Sequence, residues 1–171
     1  MSEVKLTDLA SVGICGPEAA MLRRYVDSIL DLLGSTDGVV PTRVHPIVRR
    51  LVLHLEGFDP ISELEFEINT DPVILKGLRD SLKTTAHTLA KRSHLTEQEW
   101  EYLGTSLVVV RVVISGRLGL LEGPNIEEEM IELRKSGTSQ QKILVSTWLW
   151  SGLTLSRLTG EGDIDDLVLG L

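Results

Sequence analysis

The chain is poor in aromatic residues, cysteine and positive charge, and each shortage closes off a class of protein. Phe, Trp and Tyr together make up 4% of the sequence, so a folded core must be built mainly from Leu, Val and Ile. The single cysteine, Cys15, excludes an internal disulfide framework and any multi-cysteine metal site, and it fits a reducing compartment. Lys and Arg number 17 against 25 Asp and Glu, a net charge of -8. Neutralising phosphates requires an excess of cations somewhere, so this balance argues against a dedicated nucleic-acid binder. There is no phosphate loop, dinucleotide fingerprint, G-x-S-x-G elbow or HExxH helix. Those absences exclude only the enzymes that use such devices, and no cofactor is expected.

Long apolar runs free of charge are missing too. Leu103–Leu121 contains Arg111 and Arg117, and Ile143–Leu155 is too short before Arg157 to span a bilayer. The opening MSEVKLTDLA lacks the basic-then-apolar layout of a secretory signal. A soluble, cytoplasmic protein is expected.

What is present is helical periodicity. At 171 residues and 42% apolar, the chain is long enough for one domain with a full core and too apolar for disorder. Residues 1–15 form a partly apolar lead-in. Gly16-Pro17-Glu18 then opens a helix, with proline where its missing N–H costs nothing. Leu22, Val26, Ile29 and Leu33 supply its stripe, and Gly34 ends it. A second helix is predicted from Thr42 to Gly57, and the segment 61–68 reads as a helical turn or a short strand. Asp71-Pro72 starts a further helix running to about Arg92.

The clearest start signal follows. Thr96 and Glu99 have the spacing of a capping box, and Leu95 with Trp100 that of a hydrophobic staple. The β-branched run Val108–Ile114 favours strand on propensity alone, but caps and length favour helix. Asn125 is expected to cap a short helix ending at Gly137, and Thr138 with Gln141 to open a last long one, Ser139–Thr159. Residues 161–171 form an acidic, then apolar, tail. The expected fold is an all-α, single-domain bundle of six or seven helices around an apolar central helix at about 97–118.

Three features bear on function. The central helix and the last one are apolar nearly all the way round, and such a helix must be covered on every side. Either both lie side by side in a thick core, or one exposes an apolar face to a partner. Leu53, Trp148, Trp150 and Leu153 are the residues expected on that face, because aromatic anchors are favoured at interfaces. This makes a protein-binding adaptor or regulator, acting on a protein partner or as a homo-oligomer, the leading expectation.

Second, Arg111 interrupts the central apolar run. A buried guanidinium must be paired or it costs several kcal/mol. It therefore marks an anion pocket, belonging to a small-molecule sensor or enzyme, or it pairs with an acid such as Glu63, Glu65 or Glu67, or its face reaches the surface. Third, Lys76, Arg79, Lys83, His87, Lys91 and His94 make a basic stripe, interrupted by Asp80. It could serve a capsid- or nucleic-acid-associated role, or it could be the solvated face of an amphipathic helix.

The remaining candidates are weaker. Cys15 just before a helix start could be an activated thiol, or an incidental one. His45, His54, His87 and His94 lack the i, i+4 spacing of a helical metal site. Glu127–Glu129 suit a helix N-terminus without further function. Asp163, Asp165 and Asp166 lack the spaced ligands of a calcium loop.

Overall fold

The computed structural model describes residues 7–34, 71–120 and 125–160. The helix expected at 42–57, the ambiguous segment 61–68 and the tail 161–171 lie outside the described residues. Within them the chain is mostly helical. Five α-helices are present: α1 (Gly16–Gly34), α2 (Asp71–Lys91), α3 (Glu97–Arg117), α4 (Ile126–Ser136) and α5 (Ser139–Thr159). Two short strands, β1 (Thr7–Asp8) and β2 (His94–Leu95), pair antiparallel with Thr7 opposite Leu95.

That pairing organises the lead-in. After β1, a single 3-10 turn (Leu9–Val12) buries Leu9 and Val12, and Ile14 is buried just beyond it. Gly13 makes the bend possible: its φ of 81° is left-handed, and an added Cβ would stand 2.6 Å from Arg157 Nη1 on α5.

Helix α3 starts where its caps say it should. Thr96 Oγ1 accepts from the Glu99 amide at 3.3 Å, and Glu99 Oε2 accepts from the Thr96 amide at 2.9 Å. Donation from the Thr96 backbone, more than any other contact, holds the Glu99 carboxyl below the ordinary carboxylate range, with Arg92 adding to it. A depressed folded pKa contributes stability above the unfolded pKa and loses it as pH falls through the folded value. Thr96→Ala should cost about 1 kcal/mol. It should leave most of the acid limb of a melting-temperature against pH profile in place, because alanine keeps the backbone amide that chiefly depresses Glu99 and removes only the smaller side-chain contribution.

The same box recurs at α5, between Thr138 and Gln141. Asn125 differs. It precedes α4 but makes no side-chain cap bond, because its ψ of 5° is not the extended geometry from which a cap reaches the helix amides.

Packing explains why a β-branched run is helical. Helix α3 packs against α1, α2 and α5, and α4 lies on α5. Leu103, Leu107, Val109, Val110, Val113 and Ile114 are all buried, on several sides of one helix. Tertiary burial thus overrides the strand propensity of the valines. Small polar residues let the helices approach: Ser106 and Thr85 meet across α3 and α2 at 2.8 Å. Ser115, Thr147, Ser151 and Thr154 are also buried, and each donates back to a carbonyl of its own helix. No described helix is long and apolar enough to cross a membrane.

Candidate site: a groove between α1 and α5

Helix α5 is divided by its geometry. Trp148 and Trp150 are two positions apart, and residues at that spacing do not share a face. Trp148, expected with Trp150 on an interaction surface, is instead 4% exposed and belongs to the core. Trp150 points the other way and lines a groove. Leu153 is half-buried one turn further on, and Leu53 lies outside the described residues.

The groove is an open hollow of about 480 Å³. Pro17, Glu18 and Met21 form its α1 wall, and Lys142, Ile143, Ser146 and Trp150 the α5 wall. Its floor is tied together by Thr147, whose hydroxyl accepts from Tyr25 at 3.5 Å, lies 3.9 Å from Met21 Sδ, and donates to the Ile143 carbonyl at 3.0 Å. Ile143 is 64% exposed, the exposed large hydrophobic among the described residues. An apolar residue left in water beside an apolar hollow marks a place where a second surface can be covered. The sequence marked Pro17 only as a helix opener and gave Met21 and Ile143 no interaction role. Met21 and Ile143 sit just off the stripes that build the core, and only the meeting of two helices makes them neighbours.

On the opposite side of α5, Arg111 finds its partner. Its Cζ lies 4.0 Å from the centroid of the Trp148 ring, a stacked cation–π contact. Gly152 provides the room, since a Cβ there would stand 2.9 Å from Arg111 Nη1. Burial pushes the guanidinium below its ordinary pKa, and the Glu127 carboxylate in the first turn of α4 pulls it part of the way back. The side chain remains protonated. Among the described residues none gives it a hydrogen bond or ion pair. Glu63, Glu65 and Glu67 lie outside them.

The basic stripe is broken from within. Arg79 turns away from solvent and donates to the Leu33 carbonyl, at the C-terminal end of α1 where a cation is favoured. Lys76, Lys83, His87 and Lys91 are exposed, with the equally exposed Asp80 among them.

Cys15 is free and exposed, and its amide donates to Glu18 Oε2 at 3.2 Å. His94 is exposed with its Nδ1 2.9 Å from Ser93 Oγ. His45, His54, Asp163, Asp165 and Asp166 lie outside the described residues. Among the described residues no group of three His, Cys, Asp or Glu is placed to hold a metal. Glu127, Glu128 and Glu129 are exposed in the first turn of α4.

No protein-family model, curated protein or solved structure matches this chain.

Proposed function

We propose that the chain is a non-enzymatic, intracellular interaction module, an adaptor or regulator that binds protein through the groove between α1 and α5. The exposure of Ile143 on the rim of an apolar hollow is the observation that carries this reading. Met21, Ile143 and Trp150 would cover one apolar face of an incoming helix, with Trp150 as the aromatic anchor. On this reading the chain is a single-domain bundle of six or seven helices. The test is titration of the full chain with a leucine-faced amphipathic peptide, followed by tryptophan fluorescence. Saturable binding that Ile143→Asp abolishes supports the groove. A wild-type protein that neither binds such a peptide nor self-associates contradicts it.

A second reading makes Arg111 an anion subsite, on the observation that its in-plane donors meet no acceptor among the described residues. Inorganic phosphate should then raise the melting temperature of the wild type and leave that of Arg111→Leu unmoved. Equal responses would dispose of it.

A further inference from the structure

We infer that the occupant of the groove is a second copy of this chain, related to the first by a twofold axis. The inference rests on the groove reading and names its partner. A twofold interface uses one patch twice, so the patch must complement itself. This one carries both halves of an apolar fit. Ile143 projects into solvent as a knob, and the hollow beside it, walled by Met21 and Trp150, is the matching hole.

The charges are matched in the same way. Glu18 stands on the α1 wall and Lys142 on the α5 wall of the same groove. For any two points on a face, a twofold axis lying in that face and perpendicular to the line joining them exchanges the two. One such axis, passing through the groove, therefore sets each copy's Glu18 opposite the other's Lys142 and carries the Ile143 beside that Lys142 over the α1 wall of the facing hollow. A patch holding two acids or two bases would repel its own copy under that operation. This one attracts it twice. The chain as a whole carries a net charge of -8, so two copies repel in general, and a local acid–base match selects the surface on which they can meet.

The experiment is sedimentation of the full chain over a range of concentrations, with melting curves on each sample. The wild type should move from 18.9 kDa toward twice that mass. Ile143→Asp should weaken the association by about 30-fold or more, as loss of a central anchor does, while melting as the wild type does at concentrations where both are monomeric. Glu18→Lys and Lys142→Glu should each weaken it by about tenfold or more, because each sets like charges opposite one another. Mixed together, those two variants should associate with each other, since every facing pair is again of opposite sign. Glu18 also accepts from the Cys15 amide, so Lys142→Glu, which disturbs no cap, is the variant that stands if Glu18→Lys melts early.

A wild type that stays at 18.9 kDa throughout, or a dimer unaffected by Ile143→Asp, overturns the inference. If such a monomer still binds the leucine-faced peptide, the groove reading survives and only the second copy falls. If it binds neither, both fall.

Discussion

Replacing Trp148 with alanine should destabilise the protein by about 3–5 kcal/mol. For a chain of this size that corresponds to a fall in melting temperature of roughly 6–20 °C. Two losses combine. The indole is 4% exposed, so its removal opens a cavity against α3 and forfeits the burial of a large ring. It also strips Arg111 of the surface on which its guanidinium is stacked at 4.0 Å, leaving a desolvated cation over a void. Thermal unfolding followed by circular dichroism checks the first loss, and a double-mutant cycle checks the second. Arg111→Leu alone should cost less than about 1 kcal/mol, because a leucine continues the apolar run and relieves the desolvation of the charge. The coupling between the two sites should fall at about 0.5–2 kcal/mol, the range of a cation–π contact. A cost below about 1 kcal/mol for Trp148→Ala would show that the ring is not part of the core.

Leu107→Ala should cost about 2–5 kcal/mol, and in the upper half of that range. Leu107 is fully buried on α3, the helix that packs against α1, α2 and α5. The cost of such a truncation depends on how far the surroundings can close the hole. The buried α3 residues one turn away are Leu103 and Val110, and the χ1 of a valine is stiff in a helix. A chain with so few aromatics also lacks large rings that could swing into the space. Urea denaturation should show a lower midpoint at unchanged slope. A cost below about 1.5 kcal/mol would mean the site collapses, and that α3 is held less tightly by its neighbours than its burial implies.

What was legible in the sequence is what is decided locally. The capping boxes at Thr96 and Thr138 join residues three apart, so spacing alone predicts them, and both form. The helices that follow them, and the one opened by Gly16-Pro17, run between the expected ends. The pairing of β1 with β2 joins residues more than eighty positions apart, and nothing near Thr7 announces it. Asn125 shows the limit of a local rule: residue type suits a cap, but the backbone entering α4 does not.

The candidate site was legible in half. The apolar girth of α5 left two readings open, a thick core or an exposed face, and the structure buries Trp148 while leaving Ile143 exposed. Treating Trp148 and Trp150 as one region hid the fact that a helix turns them apart. Arg111 was visible as an anomaly, yet its resolution lies on another helix. The indole that accepts it, and the glycine that makes room, sit four residues apart on α5. The groove residues Met21 and Ile143 have no signature in one dimension, because the feature belongs to the angle at which α1 and α5 meet.

The central claim is that α5 buries one side against α3 and offers the other to a protein. Sedimentation of Ile143→Asp, at a concentration where the wild type associates and with a melting curve on the same sample, tests it most directly. The account predicts a monomer whose melting temperature lies within about 2 °C of that of the wild type diluted below its association range, as expected for a surface substitution. A variant that still associates but melts many degrees lower would contradict it, since Ile143 would then be serving the core.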